Sequence, residues 1–156
     1  VFNAGGRLFF SAWADRLRDR NTIYKIIFGS ALLSIGAMIV FDGINTGSVV
    51  LVVVLLCVIN AGYGGGFSNL PTLLADRFGL NSISTVHGLA LSAWAFAGLS
   101  GNQLSAKILA ATGSYDYVMY AILALFTVAI LISMFVVKPG LVTFGQKEAI
   151  AKEQHA

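Results

Sequence analysis

Charge is what this sequence has least of. Only 11% of its 156 residues are Asp, Glu, Lys or Arg, where a soluble domain carries about 25%. Together with 57% hydrophobic residues and a mean hydropathy of +0.82, this scarcity excludes a disordered chain, a collagen-like fibre and a nucleic-acid-binding tail. It also argues against a soluble globular enzyme. Cysteine is nearly absent. The single Cys57 lies in an apolar run, so no disulfide framework and no cysteine metal site can form, and it reads as a small apolar filler. The sequence has no Cys-x-x-Cys, no His-Glu-x-x-His and no Gly-x-Ser-x-Gly, so no metal, no cofactor and no enzymatic catalysis are expected. It begins with Val1 rather than Met and has no signal peptide, which fits a fragment of a longer chain.

What fills the chain is long uncharged stretches. A membrane helix needs roughly 20 mostly apolar residues, and strands are excluded because an open sheet edge cannot sit in lipid. The charge-free stretches therefore predict an all-α integral membrane protein with a transmembrane bundle over residues 1–138. Its spans are expected at about 24–41, 49–70, 85–107 and 117–137, preceded by the end of a partial span at 2–14. Residues 43–48 (Gly-Ile-Asn-Thr-Gly-Ser) are turn chemistry. Pro139-Gly140 stops the last helix, and residues 139–156 form a polar tail.

The few basic residues are unevenly placed. Arg16, Arg18, Arg20 and Lys25 fall in the first loop, Arg77 in the third, and Lys138, Lys147 and Lys152 in the tail. Eight of ten thus lie on one side of the expected bundle, with Lys107 the outward exception. By the positive-inside rule that side is cytoplasmic, which puts the C-terminus in the cytoplasm of a multi-pass protein of the cell (inner) membrane.

Three motifs carry more than composition. Residues 7–20 read Arg-Leu-Phe-Phe-Ser-Ala-Trp-Ala-Asp-Arg-Leu-Arg-Asp-Arg. This resembles the loop motif of the major facilitator superfamily, with Ser11 as the small residue four before Asp15-Arg16, and with Arg18 and Asp19 where the family usually has Gly and Arg. The second runs from Gly62-Tyr63-Gly64-Gly65-Gly66-Phe67-Ser68-Asn69-Leu70-Pro71 into Leu74-Ala75-Asp76-Arg77-Phe78-Gly79. The third is Val86-His87-Gly88-Leu89-Ala90-Leu91-Ser92-Ala93-Trp94-Ala95-Phe96-Ala97-Gly98, followed by Thr112-Gly113-Ser114-Tyr115. Together they look like the oxalate/formate antiporter family of that superfamily. The resemblance extends to about Lys138 and implies that the chain is the end of helix 8 and helices 9 to 12 of a twelve-helix carrier, whose N-terminal six-helix half is its partner. Asn102 stands where the family often has Pro, so a straighter helix is expected there.

Arg7 is the sharpest candidate. It lies eight residues before Asp15, about 12 Å along a helix, and the hydrocarbon half-thickness is about 15 Å. A charge near mid-membrane costs about 2.5–3.5 kcal/mol on insertion scales, so it is kept for a partner or a substrate. Its planar fork matches a carboxylate, and the resemblance implies a carboxylate anchor on helix 8. Snorkelling, or pairing with a carboxylate elsewhere, is the plainer reading. Trp94 stands where, as the resemblance aligns, oxalate exchangers have a Lys. One cation instead of two suits a monocarboxylate, and Trp94 either walls the cavity or simply packs. Tyr63 and Phe67, at i and i+4, either line the cavity or form a packing pair. Asn60 is a weaker third candidate on that helix.

The remaining candidates read structurally first. Gly62 and Gly66, and the column Ala93, Ala97, Gly101 and Ser105, are small residues at helix-packing spacing. Gly64-Gly65-Gly66 also offers a flexible point for rocking, but no phosphate loop, since no Gly-Lys-Ser/Thr follows. Asp15 with Arg16, and Asp76 with Arg77, end helices as solvated loop pairs or as gate residues. For Asp15 the resemblance implies a partner on helix 5, outside this chain. His87 reads as an interfacial polar residue, with proton coupling the sharper alternative. The expected function is a secondary active transporter of a small organic anion, a monocarboxylate, with symport or exchange left open. Its partners are that carboxylate, the bilayer and the other half of the carrier, and no nucleic acid. A carrier of a neutral solute or drug and a short membrane scaffold subunit are the alternatives.

Overall fold

Helices form wherever the charge-free stretches predict them, and they end where glycine or polar chemistry stops them. The computed structural model describes residues 1–17, 19–41 and 49–137. The elements are α1 (Phe2–Ala14), α2 (Asn21–Val40), α3 (Val49–Phe78), a 3-10 turn (Leu80–Ser82), α4 (Ile83–Thr112), α5 (Tyr115–Leu131) and a π-helical turn (Ile132–Val136). No strand occurs among the described residues. Four helices are long and apolar enough to cross a membrane, which is compatible with a multi-pass membrane protein. The turn expected at 43–48, Arg18 and the tail at 139–156 lie outside the described residues.

Several helices outrun their expected spans. α3 continues past Leu70 to Phe78 and α4 covers Ile83–Thr112. At 1.5 Å per residue a 30-residue helix is about 45 Å long, against a hydrocarbon core of about 30 Å. Hydropathy marks only the apolar part of a helix, and the backbone stays helical into its more polar flanks. α2 starts at Asn21 and α5 at Tyr115 for the same reason. Glycine provides two of the stops. Gly79 (φ 80°) follows α3 and Gly113 (φ 69°) follows α4, a left-handed region costly for other residues. Ser114 then caps α5: its Oγ accepts from the Asp116 N–H at 3.1 Å, and Asp116 sits in the first turn, where the helix dipole favours an anion. α4 is unbroken through Asn102.

α1 lies along α3, α3 also along α2, and α2 also along α5, while among the described residues α4 touches only α3, the 3-10 turn and α5. One apolar core joins Phe10 and Ala14 of α1 to Ile23 and Ile27 of α2. A second joins Ile35 and Met38 of α2 to Met119 of α5. None of the residues of α4 is buried.

Glycine sets the closest approach, in a crossing that the small-residue spacing only partly anticipates. A Cβ on Gly6 would collide with the Ala61 carbonyl, one on Gly64 with the carbonyl of Asn3, and one on Gly65 with the Phe10 ring. Gly62 and Gly66 face α2, where a Cβ would lie 3.2 Å from Ile27 and 3.7 Å from Tyr24 respectively. Among the described residues no helix packs this closely on the expected column of α4. Ala93 and Ala97 are exposed, and a Cβ on Gly101 would meet nothing within 4 Å. Small residues permit close approach, but a second helix must be there to use it.

The neighbouring glycines Gly5 and Gly6 make a controlled test. A Cβ on Gly5 would meet nothing within 4 Å, so Gly5→Ala should be neutral or stabilise by up to about 1 kcal/mol through helix propensity. Gly6→Ala pushes backbone against backbone and should cost about 1–3 kcal/mol. Denaturant unfolding of the two variants in micelles checks the opposite signs.

Candidate functional site

Two polar constellations stand on this scaffold. The first begins at Arg7, in the second turn of α1, whose side chain is exposed. Its Nε donates to Asn3 Oδ1 at 3.2 Å, one helical turn earlier. Its guanidinium carbon lies 5.6 Å from the centre of the Phe67 ring on α3, within the range of a cation–π contact. Phe67 meets Trp94 of α4 edge-on at 5.7 Å and Tyr63 of α3 at 6.3 Å. Trp94 Nε1 donates to the Tyr63 hydroxyl at 3.0 Å. Four of the residues singled out from sequence, Arg7, Tyr63, Phe67 and Trp94, thus form one continuous group across three helices. Tyr63 and Trp94 keep about half of their surface, at 50% and 52%, so the group faces outward from the described bundle.

Arg7 makes no ion pair among the described residues, and its only side-chain hydrogen bond uses Nε. The terminal nitrogens therefore remain as donors in a fork that fits a planar oxyanion. The backbone beneath is held by serines. Ser11 Oγ and Ser68 Oγ are 2.9 Å apart, and Ser68 Oγ also reaches the Arg7 carbonyl at 3.4 Å. Asn60 does not join the group. It is exposed and borders a separate concavity with Asn3, Phe2 and Cys57. Asn3 escaped the sequence reading, although its i, i+4 spacing from Arg7 was a usable signal.

The second constellation is ionic and gathers the ends of α1, α2 and α3. Arg20, which caps α2, reaches Asp15 at 3.0 Å through Nη1 and Asp76 at 2.9 Å through Nε. Arg77 lies 3.6 Å from Asp19. Among the described residues Asp15 pairs with Arg20, and its side chain keeps 67% of its surface. Arg20 reads as one more loop cation until the start of α2 is packed beside the end of α3. Arg16 is exposed and borders a shallow concavity with Phe9, Ala12 and Trp13. It takes no part in the ion pairs among the described residues.

Beside this cluster, the buried amide of Asn21 ties α2 to the end of α5. Its Nδ2 donates to the Ser133 carbonyl at 2.8 Å and the Val137 carbonyl at 3.2 Å, and its Oδ1 accepts from Ser133 Oγ at 3.1 Å. The π-helical turn frees carbonyls from the regular ladder, and Asn21 satisfies them. His87, in the first turns of α4, has a buried Nδ1 with no hydrogen-bond partner among the described residues. Among the described residues no three His, Cys, Asp or Glu side chains converge as a metal site would require.

Two outcomes follow. A double-mutant cycle of Trp94→Phe and Tyr63→Phe should give a coupling of about 0.6 kcal/mol, typical of interhelical hydrogen bonds in membranes, read from unfolding midpoints in micelles. Arg20→Gln should destabilise by about 1.5–3 kcal/mol through its lost charge-assisted bonds, whereas Arg16→Gln should stay within about 0.5 kcal/mol. Compared with known proteins, the chain matches no family model, no curated protein and no solved structure.

Proposed function

We propose that this chain forms part of a secondary transporter that moves a small monocarboxylate by alternating access. In this reading it is the C-terminal bundle of a major facilitator carrier of the oxalate/formate antiporter type, working with an N-terminal six-helix half. The protein spans the cell (inner) membrane, with the ionic end of α1–α3 and the C-terminus on the cytoplasmic side. The observation that carries the reading is Arg7, a guanidinium in an apolar helix with no carboxylate partner among the described residues and with its terminal donors free beside Phe67. A carboxylate supplies the missing charge and fits both terminal donors. Asn3 and Phe67 hold the guanidinium in place before substrate arrives, which lowers the cost of ordering it on binding.

Within the mechanism the aromatic residues shape the cavity and Arg7 is the anchor. Release of the Asp15–Arg20–Asp76 cluster accompanies opening on the cytoplasmic side. Sparse packing leaves α4 able to shift against α3 when the halves rock, with Trp94–Tyr63 as the contact made and broken.

Uptake of labelled formate, lactate and oxalate into proteoliposomes of the complete carrier tests the reading, with and without a pH gradient. Saturable monocarboxylate uptake is expected. Arg7→Gln should weaken substrate affinity about 10- to 100-fold, the worth of a charge-assisted hydrogen bond of about 1.5–3 kcal/mol. Gradient dependence assigns symport or exchange. Oxalate uptake overturns the single-cation argument. No carboxylate uptake favours a neutral-solute carrier in which Arg7 is only a structural partner of Asn3.

A further inference from the structure

Behind Phe67 lies a cavity of about 330 Å³ between α2, α3 and α5. Ile27 and Ala31 of α2, Gly62, Gly66 and Phe67 of α3, and Phe126 of α5 form most of its wall. Among the described residues the one polar side chain on it is Tyr63, whose hydroxyl already accepts the Trp94 N–H. A hollow of this composition gives a charged headgroup nothing to bind, but it can bury hydrocarbon. Its volume is at the lower end of small-molecule sites, about 300–1,000 Å³. That suits a short alkyl chain or a single aromatic ring.

Phe67 belongs to both sites. Its ring carries the Arg7 guanidinium at 5.6 Å and also lines the cavity. An anion seated on the terminal nitrogens of Arg7 therefore has an apolar hollow one aromatic ring away. Formate and oxalate have no atoms to place there. The geometry points to an amphipathic monocarboxylate as the cargo, with its carboxylate on Arg7 and its apolar tail in the cavity behind Phe67. The inference rests on the anion-carrier reading and narrows it, because the tail rather than the headgroup sets the preference among acids.

Glycine keeps the hollow open. Gly62 and Gly66 present bare backbone to α2, and a branched side chain at Gly66 would project into the space beside Ile27 and Tyr24. Each methylene buried is worth about 0.8 kcal/mol, a factor of about four in affinity.

The test is isothermal titration of the purified complete carrier with formate, acetate, butanoate, hexanoate and benzoate. Titration reads binding directly, whereas protonated acids of this size cross bilayers unaided. Affinity should rise about fourfold per methylene from acetate to hexanoate, and benzoate should bind more tightly than acetate. Gly66→Val should leave acetate within about twofold and weaken hexanoate tenfold or more. Leu70→Ala, which enlarges the same hollow, should extend the rise to octanoate, and it serves if Gly66→Val does not fold. Equal affinity along the series, lost in Arg7→Gln, overturns the tail cavity and leaves the anion carrier standing. A flat series is also the result expected if lipid or detergent tails permanently fill the hollow. Absence of binding by every acid overturns both.

Discussion

The crossing of α1 over α3 is the constraint on which the rest of the molecule depends. Backbone meets backbone at Gly6 and Ala61 and again at Gly64 and Asn3, while Phe10 lies flush on Gly65. In lipid the helices gain little from apolar burial alone, so such contact between small residues is a main source of association. The same crossing sets the polar geometry. It brings Ser11 to Ser68 and lays Arg7 over Phe67. A crossing looser by the width of one methyl group would part the guanidinium from the ring, and the candidate anion site would lose one of its two supports.

A second constraint is that backbone polar groups in hydrocarbon need partners within the protein. Two places break the regular ladder. Pro71 lies inside α3 and has no N–H to give to the Phe67 carbonyl one turn earlier. In that turn the Gly65 carbonyl accepts from Asn69 Nδ2 at 2.9 Å and Ser68 Oγ at 3.1 Å, and the Gly66 carbonyl accepts from the Tyr24 hydroxyl at 2.7 Å. At the end of α5, Asn21 takes up the Ser133 and Val137 carbonyls. These bonds also tie α2 to α3 and α5, so the irregular places are where the helices are pinned. Among the described residues α4 has no such pin, and its side-chain hydrogen bond to α3 is that of Trp94 to Tyr63, which lies in the candidate site itself. A helix held this lightly suits a role in which its position changes with the occupancy of the site.

Much of the candidate site was legible before the fold was known, for a physical reason. A lone Arg in an apolar stretch is costly enough to demand an explanation, and aromatic residues four apart must share a helix face. Arg7, Tyr63 and Phe67 could thus be singled out from spacing and cost. Arg20 and Asn21 could not. Both follow a run of loop charges, and their importance comes from Asp76 and Ser133, which lie 56 and 112 residues further along the chain. Likewise the small-residue spacing on α4 was readable, but nothing in it says whether another helix lies opposite.

The sequence by itself determined that the chain is helical, where its apolar helices lie and which residues are too costly to be incidental. Those properties depend on hydropathy and helical spacing, both local along the chain. Only the tertiary structure decided which glycines carry the crossing, that Arg20 joins Asp15 to Asp76, and that Phe67 touches both Arg7 and Trp94. These depend on how distant segments pack, and many sequences with the same local pattern pack differently.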